Sequence, residues 1–164
     1  MRNFFIIIAL LITINILSLN KAVAAISGNL DNSGYKTLAD FIYSLQKFSD
    51  ATEGAVCVYG SDDIASSLSA RYGEVISLKE SSSIKHRCKL IYIAEDQERY
   101  LKSFMGDFNN QKIITISFID TFLEEGGTLR AQIGRGGKIK LYLNPNVKSF
   151  GIKINPLILN IINN

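Results

Sequence analysis

The sequence predicts an α/β fold: a single three-layer domain whose mainly parallel sheet is finished by an antiparallel C-terminal hairpin. Three observations carry this. Short apolar runs, Ala55 to Tyr59 (AVCVY) and Lys89 to Ala94 (KLIYIA) among them, alternate with segments of helical apolar spacing. In the last third, Thr128 to Ile133 and Lys138 to Leu143 alternate apolar and polar residues around Gly134-Arg135-Gly136-Gly137, which reads as a hairpin. The N-terminal stretch has the order of an export signal and lies outside the fold.

That stretch opens with Arg2, continues through apolar Phe4 to Leu19, interrupted by Thr13, Asn15 and Ser18, and reaches Ala22-Val23-Ala24-Ala25. The order is that of a positive n-region, an apolar h-region and an A-x-A cleavage site. Spanning a bilayer takes about 20 apolar residues, so the expectation is a cleaved signal peptide, residues 1–25, with cleavage after Ala24 or Ala25. One domain, residues 26–164, follows, in an oxidising compartment outside the cytoplasm. Cleavage removes Arg2 and Lys21 and no acid, lowering the formal charge from +3 to +1. With no Lys/Arg run beyond Lys85 to Lys89 (KHRCK), the electrostatic footprint of nucleic-acid binding is missing.

The elements follow in order. Ile26 to Tyr35 is polar and reads as a loose arm. From Thr37, residues Leu38, Phe41, Ile42, Leu45 and Phe48 fall on one helical face. Ala55 to Tyr59 reads as a strand buried on both faces. In Gly60-Ser61-Asp62, Ser61 or Asp62 can cap a helix carrying Ile64, Leu68 and Tyr72 that stops at Gly73. Glu74 to Leu78 is the second strand, Ser81 to Ser83 a loop and Lys89 to Ala94 the third strand. Glu95-Asp96 opens a helix with an acidic first turn, its apolar face Tyr100, Leu101, Phe104, Met105 and Phe108. Lys112 to Ser117 is the fourth strand, and a short helix runs from Asp120 to Gly126-Gly127. After the hairpin, Asn144-Pro145 and Asn155-Pro156 each read as a cap plus a first helical residue.

Candidate chemistry is sparse. The two cysteines, Cys57 and Cys88, are expected to form a structural disulfide in an exported protein; two separate buried thiols are the alternative. The bridge would close a loop worth about 3–4 kcal/mol in the chain-entropy model. The spacing is not C-x-x-C, the usual mark of a redox-active pair. Asp62 and Asp63 could hold a cation, though adjacent carboxylates at a helix start serve as caps. The single His86 with both cysteines falls short of a closed zinc site. The Gly134 to Gly137 turn precedes a strand, not a helix, so phosphate-cradling patterns are unmet. Asp120 and Glu124 share a predicted helix face and suit solvent. No hydrolase signature occurs, so the expectation is no catalytic residue, no cofactor and no metal.

The assembled features resemble the YfiR-like family of exported proteins. They are the Lys47-Phe48 helix end, the strand with Cys57 leading to Gly60, and the strand led by Cys88. The Ile113 to Ser117 strand, Gly126-Gly127, the hairpin, Leu143-Asn144, Phe150-Gly151-Ile152 and Ile154-Asn155-Pro156-Leu157 complete the set. The likeness runs from Tyr35 to Ile162. It implies a periplasmic regulator, not an enzyme. The best-understood member represses a membrane diguanylate cyclase by binding its periplasmic sensor domain, which lowers cyclic di-GMP and restrains biofilm formation. Cys57 and Cys88 match the family's long-range cysteine pair. The chain departs from the family in having Ala51-Thr52 where a Trp-Pro is common, and it lacks a second cysteine pair. The implied partner is the periplasmic domain of a membrane signalling protein, and a homodimer stays open. The runner-up is a small-molecule-binding module using the loops after Tyr59 and Ala94; a hydrolytic or redox enzyme is a distant third.

Overall fold

The structure, a computed structural model, describes residues 32–46, 54–79, 88–106, 113–133 and 139–148, with the side chains of the first helix from residue 37. Its elements are α1 (Asn32–Leu45), β1 (Ala55–Tyr59), α2 (Asp62–Tyr72), β2 (Val75–Leu78) and β3 (Cys88–Ile93). A 3-10 helix (Glu95–Tyr100), α3 (Leu101–Gly106), β4 (Ile114–Ser117), β5 (Leu129–Ile133) and β6 (Ile139–Leu143) complete them.

The strands form one sheet in the order β2-β1-β3-β4-β5-β6. Pairings from β2 through β5 are parallel, and β5–β6 is antiparallel, with Leu129 opposite Leu143 and Ile133 opposite Ile139. The alternation of the last third is thus a hairpin at the sheet's edge. Crossovers run from β1 outward to β2 in one direction and from β3 to β4 in the other, which places helices on both faces.

Each face has its own core. Val56 and Val58, Leu90 and Tyr92, Ile114 and Ile116 point to the side of Leu38, Ile42 and Leu45 of α1 and Ile64 and Leu68 of α2. Cys57, Ile91 and Ile93 point the other way, against Leu101, Phe104 and Met105 of α3 and the buried Phe122. Two-sided burial explains why the central strands read as continuous apolar runs. Their few polar residues are satisfied. The Ser117 hydroxyl donates to the Ile93 carbonyl (2.9 Å) and accepts from the Ile119 N–H (3.2 Å). Thr115 and Thr128 exchange backbone-to-hydroxyl bonds between β4 and the start of β5.

A disulfide joins Cys57 to Cys88 with Cα atoms 5.8 Å apart. Cys88 pairs in register with Ala55, two residues before Cys57, so the bridge runs diagonally between neighbouring parallel strands, at the amino end of β3. Both cysteines are buried.

Four expectations need correction. Helix α1 begins at Asn32, not Thr37, because its polar first turn carries no apolar period. Residues 95–100 form a 3-10 helix with no buried residue, and the α-helix starts only at Leu101. The tighter turn rotates Tyr100 off the apolar face and leaves it 48% exposed. The short helix expected from Asp120 is a series of turns over 120–126. Mostly three-residue backbone bonds there, such as Gly126 N–H to Leu123 O, end in Gly127 N–H to Phe122 O (2.8 Å). A Cβ on Gly127 would sit 2.3 Å from the Phe122 ring, so the bare glycine lets the chain close over that ring. Finally, Asn144-Pro145 starts a turn over 145–148, not a helix. Phe48, Phe108, the Gly134 to Gly137 turn and Asn155-Pro156 lie outside the described residues, as do the signal segment and His86.

Candidate functional site

The order β2-β1-β3-β4-β5 is a doubly wound arrangement whose winding direction switches between β1 and β3. Ligands of such sheets bind outside the carboxyl ends of the strands at that switch. One group of polar residues occurs at that switch and a second further along the sheet.

The first surrounds the loop after β1. Gly60 has φ +88°, in the left-handed region that glycine adopts without strain. A Cβ there would lie 2.3 Å from Cγ of Gln97, so the Gln97 side chain rests directly on the glycine backbone. The Ala94 N–H donates to the Tyr59 carbonyl (2.9 Å), which brings the loops after β1 and β3 side by side. Ser61, not Asp62, caps α2: its hydroxyl accepts from the Ile64 N–H at 3.3 Å. Asp62 instead accepts from the Ser77 hydroxyl of β2 at 2.6 Å. Between these groups, Leu78 and Lys79 at the end of β2 close the wall of a cleft of about 280 Å³. The loops singled out from the sequence, after Tyr59 and after Ala94, are therefore brought together.

The second group lies over the ends of β3 to β6. The Glu95 carboxyl is pushed up to about 7, chiefly by burial and further by the neighbouring Asp120 charge. Burial first, then the charges of Glu95 and Asp96, raise the Tyr92 hydroxyl, which stays neutral at any physiological pH. Asp120 meets Arg130 Nη1 at 3.4 Å, and the same nitrogen donates to the Asp120 carbonyl at 3.1 Å. The Arg130 guanidinium also lies 4.7 Å above the Tyr142 ring of β6. Asp120 is thus a partner of Arg130 and not one carboxylate of a helical pair with Glu124.

Beside the second group, Asn144 fastens the end of the hairpin to the β4–β5 connection. Its Nδ2 donates to the carbonyls of Leu123 and Gly127, each at 2.8 Å, and its Oδ1 accepts from the Asn146 N–H at 2.9 Å. Reading the sequence missed this role, as it missed Gln97, Glu95 and Arg130. The alternating pattern placed Arg130 on the wetter face of the hairpin, but nothing in sequence could reveal its partner ten residues earlier. Across the other end of α1 and α2, Asp40 pairs with Arg71 at 2.9 Å and accepts a hydrogen bond from the Tyr72 hydroxyl, while Tyr72 stacks on Tyr43. That network joins two helices and converges on no cavity. Among the described residues, no three His, Cys, Asp or Glu side chains converge as a metal-binding group.

A family model described as YfiR/HmsC-like matches residues 35–161. The fold is similar to a crystal structure of a conserved domain protein from Vibrio cholerae O1 biovar El Tor str. N16961. The TM-score is 0.57 and the identity 12%, over 77% of this chain and 58% of that chain. At that identity the likeness is one of fold, and this chain spans 58% of that protein's length. No protein of curated function matches it.

Proposed function

The chain belongs to the YfiR/HmsC-like family, and on that premise we propose that it is an exported regulatory binding protein that represses an inner-membrane diguanylate cyclase through the enzyme's periplasmic sensor domain. The observation that carries this reading is the extent of the family match, residues 35–161, which takes in both cysteines and every described strand. The disulfide between β1 and β3 fits an oxidising compartment. Export rests on Arg2, the apolar Phe4 to Leu19 and the Ala22 to Ala25 cleavage site. Among the described residues no helix is long and apolar enough to cross a membrane.

The mechanism is linkage. A regulator that binds the inactive conformation of the sensor domain better than the active one shifts the sensor's population toward inactivity, by as much as the two affinities differ. A tenfold drop in the ratio of active to inactive cyclase at saturating regulator needs about 1.4 kcal/mol of difference. The regulator performs no chemistry and uses no cofactor.

Capture from envelope extracts with the oxidised protein as bait tests the partner. Recovery of a membrane diguanylate cyclase supports the reading, and recovery of no membrane signalling protein contradicts it. A second reading, a small-molecule-binding module without a cyclase partner, draws on the cleft beside Gly60.

A further inference from the structure

We propose that the cleft between Gly60 and Gln97 binds a neutral, hydroxyl-rich ligand the size of one sugar ring. This deepens the second reading above and rests on there being a ligand site at that place. The cleft's volume of about 280 Å³ lies just under the roughly 300–1,000 Å³ of sites that hold drug-sized ligands, so its occupant is smaller. Its position outside the carboxyl ends of β1 and β2, next to the winding switch, is where sheets of this order place ligands.

The lining decides the chemistry. Polar groups from three separate segments converge: Ser61 and Asp62 after β1, Ser77 and Lys79 at the end of β2, and Gln97 of the 3-10 helix. The amino end of α2 would attract an anion, but Asp62 and Asp63 fill its first turn and oppose one. A cation meets a single lining carboxylate, already bonded to the Ser77 hydroxyl, with the cationic residue Lys79 also lining the cleft. One carboxylate and one ammonium leave the lining with no net charge to reward an ion of either sign. What the lining offers in number is hydrogen-bond capacity of both kinds. A carboxylate has about four acceptor positions and Ser77 takes one, an amide both donates and accepts, and an ammonium donates up to about three bonds. Adjacent hydroxyls on a ring, each donor and acceptor at once, match that mixture. Tyr59, only partly buried, supplies apolar surface for the C–H face of such a ring. Tyr59 is held by stacking on Phe104, with ring centroids 4.1 Å apart, so this wall is formed before any ligand arrives.

The test is a titration followed by two-dimensional 1H–15N NMR of the oxidised protein with D-glucose, N-acetyl-D-glucosamine, glycine and inorganic phosphate. The expected result is saturable shifts with a sugar, confined to the amides of Gly60, Ser61, Ser77, Lys79 and Gln97, at a Kd of roughly 1–10 mM. Neither glycine nor phosphate should produce them. Gln97→Ala, at a half-exposed position, and Lys79→Ala, at an exposed one, should each abolish the shifts while keeping the wild-type spectrum elsewhere. Shifts with glycine or phosphate but not with sugars would overturn the ligand class while leaving a site in place. No shifts with any probe would overturn the site together with the second reading. Sugar binding that survives both substitutions would overturn the location.

Discussion

Asn144→Ala removes the side chain that fastens the hairpin's end to the β4–β5 connection, and its cost can be worked from the structure. Asn144 is 2% exposed, so water cannot replace what it loses. Three bonds disappear: two from Nδ2 to the Leu123 and Gly127 carbonyls, and one from the Asn146 N–H to Oδ1. At about 1 kcal/mol for each hydrogen bond, the loss is about 3 kcal/mol. That is a large part of the roughly 5–15 kcal/mol that holds a domain folded. Asn144→Asp sharpens the argument because it is nearly the same shape. Its new carboxyl can still accept from Asn146, but its other oxygen faces two carbonyl oxygens, which disfavour ionisation. Its folded pKa is therefore raised above the unfolded value of about 3.9. Stability is highest where both states are protonated and is lost as pH rises from that unfolded value through the folded one. Urea unfolding of the oxidised protein at pH 5 and pH 8, with m-values compared, reads both effects. A loss under about 0.5 kcal/mol for Asn144→Ala, or an equal penalty at both pH values for Asn144→Asp, would refute the reasoning.

Three further outcomes are expected. Glu95 titrates near 7 against an ordinary 4.5, so the stability of the wild type should fall as pH rises between those values and level off above. Glu95→Gln should remove that decline and be more stable at pH 8 by roughly 1–2 kcal/mol, after discounting for the half-exposed carboxyl; pH-dependent thermal melts decide it. Replacing both Cys57 and Cys88 by Ala should cost about 3–4 kcal/mol in urea unfolding, and the difference should vanish when the wild type is reduced. Gly60→Ala should cost about 1–2 kcal/mol, because φ is +88° and the new Cβ would press on Gln97; it should also displace the Gln97 side-chain amide signals in NMR.

Much of the fold is legible because burial writes itself into composition. A strand covered on both faces, such as β1 or β3, has no wet side and so reads as an unbroken apolar run; β5 and β6, with one wetter face, alternate. Helix α2 carries its own cap in Ser61 and its own stop in Gly73. The errors fall where the deciding contact is distant. Residues 120–126 have helical composition, but Phe122 must reach the core and Gly127 must pass over its ring, which turns do better than a continuous helix. Asn144 precedes a proline as a cap would, yet its amide is used on Leu123 and Gly127, far back in the chain. That the loops after Tyr59 and Ala94 lie side by side beyond the strands' carboxyl ends was legible from the β-α-β order alone. Gln97 was not, since an amide in an acidic turn carries no sign that it will lie on a glycine of another loop. Glu95 likewise reads as a helix-opening acid, and only its burial beside Asp120 shifts its titration.

Cellular cyclic di-GMP is the most direct measure of the central claim, that this chain restrains a membrane diguanylate cyclase from the periplasm. Deleting the gene should raise the cyclic di-GMP level, and the exported protein supplied in trans should lower it again. A form lacking residues 1–25 should leave it raised. An unchanged level on deletion, or full restoration by the form without residues 1–25, would contradict the account.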